Sequence, residues 1–114
     1  MFKRDITKRV NGIEEGARRG RRLALSCRVF FCSDEHVEGE GRLLDLSTSG
    51  CCMTSDEPLQ VDMVLTLSLF LPDHAWTMMI DQALVRWVDG GRTGLEFTSI
   101  RTAQRERLRA MIMK

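Results

Sequence analysis

The chain of 114 residues has the length of one ordinary domain, since compact domains most often run to about 100–150 residues. Its 43% apolar and 29% charged residues exclude a disordered or fibrous chain and predict a core that folds alone. The formal charge of +1 hides an asymmetry: residues 1–22 hold eight basic residues against three acids, net +5, and the other 92 hold nine against thirteen, net −4.

In chain order, Phe2, Ile6, Val10 and Ile13 recur at three or four residues, which predicts a short helix over residues 1–16 with a narrow apolar stripe, ending at Gly16. The period then drops to two. Leu23, Leu25, Cys27, Val29 and Phe31 alternate with Ala24, Ser26, Arg28 and Phe30, the mark of a half-buried strand. Ser33–Glu40 reads as an acidic turn or loop. Gly41–Leu46 is a second strand, closed by the tight turn Ser47-Thr48-Ser49-Gly50, and Cys51–Thr54 resumes the sheet. After a break at Ser55–Pro58, Val61–Leu71 is a long strand with Val61, Met63, Leu65, Leu67 and Leu69 on one face. Pro72-Asp73-His74 turns the chain into a strand over Trp76–Val88, and Asp89-Gly90-Gly91 makes a hairpin into Thr93–Phe97. Cap residues in Thr98–Thr102 precede Gln104, Leu108, Met111 and Ile112 at helical spacing.

Five or six short strands without crossover helices imply antiparallel pairing, and a sheet of that size hides its edges by curling into a small barrel. The expected fold is therefore mainly β: an antiparallel barrel with a C-terminal α-helix that plugs or flanks one end. A flexible or short-helical basic arm, residues 1–22, precedes the barrel and helix of residues 23–114.

The ends and cysteines narrow the class. No apolar stretch of signal-peptide length opens the chain, and no run approaches the roughly 20 apolar residues of a membrane span. A cytoplasmic protein with reduced thiols is expected. Cys27, Cys32, Cys51 and Cys52 read as small hydrophobes in the sheet, at spacings that do not suit zinc, and neither His36 nor His74 completes a metal site. Neither histidine has a serine or cysteine partner in a nucleophile motif, and no phosphate loop or dinucleotide fingerprint occurs, so catalysis is not expected. Trp76 and Trp87 read as core or edge packing, and the arginines of the last helix as its solvated face.

Two clusters carry recognition chemistry. Arg18-Arg19-Gly20-Arg21-Arg22 stands just before the first strand, and Asp45-Leu46-Ser47-Thr48-Ser49-Gly50 ends the second. An arginine fork donates two parallel hydrogen bonds to phosphate or to the Hoogsteen edge of guanine. Two such groups four residues apart in an extended segment lie about 13 Å apart, which suits a doubly charged ligand. The Asp45 carboxylate can accept from adjacent donors such as guanine N1–H and N2–H. Ser47 can bond a ligand edge or fix the turn, and Gly50 permits positive φ and close backbone approach. The plain alternative for Asp45 and Ser47 is a turn whose side chains cap backbone amides.

With these motifs the sequence resembles the PilZ domain, the bacterial receptor module for cyclic di-GMP, whose signature is RxxxR followed by [D/N]xSxxG. Arg18 and Arg22 match the first motif and Asp45, Ser47 and Gly50 the second; Ala83–Val88, Thr93–Phe97 and the closing arginine-rich helix are also similar to the family's ending. The resemblance implies a six-stranded PilZ-type barrel. It also implies that Arg18 and Arg22 clamp phosphates and a guanine while Asp45 and Ser47 contact the base. Arg19 and Arg21 are expected to add phosphate contacts, and Arg86 to stack on the base. The implied role is a cyclic di-GMP receptor that orders its arm on binding and signals, in motility or biofilm formation, through an effector protein. It uses no cofactor, nucleic acid or membrane span, and is a monomer or weak dimer. The alternatives are a PilZ-like adaptor that binds no nucleotide and a small nucleic-acid-binding barrel; the shortage of aromatics for base stacking weighs against the latter.

Overall fold

The computed structural model describes residues 22–73 and 76–113. It is a closed six-stranded antiparallel barrel followed by one helix. The elements are β1 (Leu23–Ser33), β2 (Glu38–Leu46), β3 (Gly50–Ser55), β4 (Val64–Leu69), β5 (Met78–Asp89), β6 (Arg92–Ser99) and α1 (Thr102–Ile112). Around the barrel the order is β1-β2-β3-β6-β5-β4, so the hairpins β1–β2–β3 and β4–β5–β6 meet at two seams, β3 with β6 and β1 with β4. Every strand has both neighbours, which removes the free edges that an open sheet of this size would expose. The expected helix over residues 1–16 and the arm as far as residue 21 lie outside the described residues.

The period-two pattern decides which side chains fill the barrel. Cys27, Val29 and Phe31 of β1 point inward, as do Leu65, Leu67 and Leu69 of β4 and Met78, Ile80, Ala83 and Val85 of β5. Leu59, in the connection between β3 and β4, and Leu108 and Ile112 of α1 join the same core. The helix is fixed laterally as well: Arg107 donates to both carboxylate oxygens of Asp73, at 2.8 and 2.6 Å, with both side chains largely withdrawn from solvent. Such a two-pronged pair has the geometry of a strong charge-assisted contact.

Several element limits differ from the sequence reading. Of the turn or loop expected over Ser33–Glu40, the turn is present but shorter, the tip of a hairpin: Ser33 N–H donates to the Val37 carbonyl at 2.8 Å, His36 takes φ 67°, and β2 already begins at Glu38. Glycines at 39 and 41 in place of apolar residues hide this stretch from an alternation test. The long strand expected over Val61–Leu71 is shorter, because Asp62 turns the chain at φ 79° and leaves Val61 53% exposed. Trp76 precedes β5 and is 87% exposed, so it packs neither in the core nor at an edge. Cys32 is exposed, unlike the three other thiols, since it faces outward between Phe31 and Ser33. The arginines of α1 are not all a solvated face, as Arg107 shows. Its N-terminal cap, Arg101, makes no side-chain capping bond. The expected hairpin between β5 and β6 is present, with Gly90 and Gly91 at φ 58° and 83°, the left-handed pair that matches strand twist.

Candidate functional site

The site begins with a break in strand regularity. Strict alternation from Leu43 would send Asp45 inward. Between β2 and β3 the register runs Leu43 to Met53 but Asp45 to Cys52, so two steps on β2 oppose one on β3. This bulge at Leu44 lets Leu43 and Leu46 both enter the core and turns Asp45 out to the surface. Beyond it, Ser47 closes the turn. Its hydroxyl accepts from the amides of Ser49 at 3.2 Å and Gly50 at 3.1 Å, and Ser47 N–H donates to the Gly50 carbonyl at 2.8 Å. Ser47 is 1% exposed, so in this structure the hydroxyl builds the turn.

Gly50 is required by close approach and not by conformation. It is absent from the positive-φ positions, contrary to one of the two reasons the sequence offered for it. A Cβ at Gly50 would run into the Leu95 carbonyl oxygen on β6. The same seam holds the turn, because Phe97 N–H donates to the Ser49 carbonyl at 2.8 Å. From α1, Arg105 reaches the Thr48 carbonyl at 3.5 Å.

Arg22 stands one residue before β1, whose Leu23 and Ala24 pair with Leu46 and Asp45. It is thereby delivered to the turn. Its Nε donates to Asp45 Oδ1 at 3.0 Å, Nη2 lies 2.9 Å from the same oxygen, and Nη1 is 3.5 Å from Ser47 Oγ. Both Asp45 contacts use Oδ1, and Oδ2 has no partner among the described residues. Arg18, Arg19 and Arg21 lie outside the described residues; of the basic cluster only Arg22 is placed.

Arg22 forms one wall of an open groove of about 660 Å³, whose other walls are the Thr48–Cys51 segment, Arg86, Trp87, Gly94, Leu95 and Glu96. Asp45 and Ser47 do not line this groove; they hold the arginine that does. Arg86, expected to stack on a base, lines this groove and lies 3.5 Å from Glu96. Trp87 is the residue that sequence reasoning misplaced. It shares parity with inward Val85, but a second bulge sets Val85 against Leu95 and Trp87 against Gly94. Arg86 and Trp87 are therefore both outside, with the indole 45% exposed and lying over Gly94, where a side-chain carbon would strike it. The Trp-x6-Gly spacing was the available signal: a glycine opposite a tryptophan makes room for a ring on the sheet surface. Beneath the groove, burial pushes the Cys51 and Cys52 thiols up, Cys52 to about 12, with the Asp45 carboxylate acting in the same direction. These thiols stay neutral and serve as packing.

A family model described as PilZ domain matches residues 17–114, which takes in both motifs, all six strands and the helix. The chain belongs to the PilZ domain family. Among solved structures, the PilZ domain of CeSA from a cellulose-synthesizing bacterium is 15% identical, with a TM-score of 0.63 over 81% of this chain and 94% of that one. The Bacillus subtilis inhibitor of motility, MotI/DgrA, is 19% identical, with a TM-score of 0.69 over 89% of this chain and 51% of that one. This PilZ chain thus spans about half the length of MotI/DgrA. At these identities the likeness establishes the fold. No curated protein matches the sequence. PilZ domains as a family are receptor and adaptor modules.

Proposed function

We propose that this PilZ domain is a cyclic di-GMP receptor whose binding surface is the groove between the Ser47–Gly50 turn and Trp87. The observation that carries the reading is the meeting of Arg22, Asp45 and Ser47, from two motifs more than twenty residues apart, at the margin of one groove. The Arg22–Asp45 pair is half exposed, and such pairs contribute only about 0–1 kcal/mol, so exchanging Asp45 for a ligand phosphate is cheap. Once Arg22 turns to phosphate, the carboxylate is free to accept from guanine N1–H and N2–H. Trp87 offers its face to a purine, and Arg86 a planar cation beside it. Arg18, Arg19 and Arg21 extend the cationic wall, and residues 1–22 act as an arm that closes over the nucleotide and creates a new surface for an effector protein.

Amide shift mapping on the full chain tests this placement. Cyclic di-GMP is expected to move the signals of residues 47–51, 86–87 and 94, to quench Trp87 fluorescence, and to act more weakly as salt rises. Shifts confined to another face would move the site. No shift at all would favour an adaptor that works by protein contact alone.

A further inference from the structure

A second depression, of about 480 Å³, opens on the outer face of the barrel where β2, β1, β4 and β5 run side by side. Its floor spans the β1–β4 seam, on the far side of the ring of strands from the β3–β6 seam beneath the Trp87 groove. Cross-strand register sets Glu40, Phe30, Ser68 and Met79 in one row across it, and Phe30 and Met79 are each 40% exposed. Phe70 meets Phe30 edge-on, with centroids 5.3 Å apart, and Arg28 covers both rings while pairing with Glu40 at 2.9 Å. That cation is thus already engaged. Along the other margin stand Glu38, Asp56 and Glu57, the last two packed over Gly39, where a Cβ would strike the Asp56 carboxylate and press on Glu57. None of the three has a cationic partner among the described residues, and the Asp56 carboxylate accepts only the Glu40 amide. The groove is apolar in its floor and anionic at its rim.

We propose that this face docks a helix of a separate protein, one that presents a large apolar side chain flanked by lysines or arginines. A strand is the wrong shape, because each of the six strands already has both neighbours and no edge is free for addition. A helix laid across the strands instead sets its apolar residue between Phe30 and Met79, an aromatic and thioether floor of the kind that carries binding energy and adapts to its guest. Charge complementarity chooses the partner. Glu38, Asp56 and Glu57 hold uncompensated negative charge along one margin, which repels an acidic segment and steers a basic one. The same charges count against a second copy docked symmetrically on this face, since two such rims would meet. Because the two grooves lie on opposite sides of the barrel, the helix stays bound whether or not the Trp87 groove is filled, and this docking does not depend on the nucleotide.

The test titrates a short amphipathic helical peptide of leucine and lysine into the full-length chain, with a scrambled peptide of the same composition and a leucine–glutamate peptide as controls. The leucine–lysine peptide is expected to move the amide signals of residues 30, 38–40, 68 and 79 and to leave those of residues 47–51 and 94 in place. Cys32 lines the groove and is the exposed thiol, whereas Cys27, Cys51 and Cys52 are buried. Its labelling by a thiol-reactive dye should therefore slow about fivefold when the groove is about 80% occupied. The double variant Glu38→Lys/Glu57→Lys, at exposed positions, should weaken the peptide about tenfold without lowering the melting temperature, and Phe30→Asp should weaken it about thirtyfold. No binding, equal binding of either control peptide, shifts confined to another face, or unchanged affinity in the charge-reversed variant would overturn the proposal. So would Cys32 labelling that slows as the concentration of the peptide-free chain rises, which would put a second copy in the groove.

Discussion

Replacing Asp45 or Arg22 by alanine is expected to weaken cyclic di-GMP binding by about 30- to 150-fold, the loss of one charge-assisted contact of about 2–3 kcal/mol. Neither change should cost more than about 1 kcal/mol of stability, because their mutual ion pair is solvent-exposed. A finer set of variants separates two roles for Asp45. If the carboxylate reads guanine with both oxygens, Asp45→Asn loses about as much as Asp45→Ala, because an amide offers one acceptor where two donors wait. If it only holds Arg22, the double variant Arg22→Ala/Asp45→Ala binds no worse than Arg22→Ala, since both changes remove one interaction. Non-additive loss with Asn tolerated would make Asp45 a positioning residue. Additive loss with Asn not tolerated is the expected result, and the unpartnered Oδ2 is the reason.

Gly50→Ala is expected to produce the largest loss of stability of any single methyl added to a glycine at the groove. The new carbon would strike the Leu95 carbonyl, a backbone atom that cannot swing away, and so would part β3 from β6 at the seam that closes the barrel. Overpacking together with weakened Gly50 and Phe97 hydrogen bonds amounts to about 2–4 kcal/mol, or about 10–20 °C in melting temperature. Two other glycines calibrate the effect. Gly91→Ala meets open space and suffers only its φ of 83°, a strain of about 1 kcal/mol. Gly94→Ala strikes the Trp87 ring, which is half exposed and can shift, so it should disturb the groove more than the fold. A Gly50→Ala variant melting within 3 °C of the unmodified chain would show that the seam is looser than the contacts imply.

The alternation of apolar side chains made the barrel legible, because period two is a property of each strand by itself. Leu65, Leu67 and Leu69 needed no partner to be read as inward, and Leu108 with Ile112 gave the helix its buried stripe. Bulges escaped that reading. The extra residues at Leu44 and Arg86 arise from how each strand pairs with the next across its hairpin, which the alternation of one strand does not carry, and they reverse the direction of Asp45 and Trp87, which parity alone would send inward. Asp45 was found by its motif in spite of this, whereas Trp87 had no motif and was assigned to packing. The Arg107–Asp73 pair was hidden for a related reason: 34 residues separate the partners, and only the docking of α1 brings them together.

Isothermal titration calorimetry of cyclic di-GMP into the full chain at moderate salt is the decisive measurement. Saturable binding at micromolar concentrations is expected, with GMP binding far more weakly because it offers one guanine and one phosphate where the dinucleotide offers two of each. No heat of binding up to tens of micromolar cyclic di-GMP, from a chain whose fold is intact, would contradict the receptor reading.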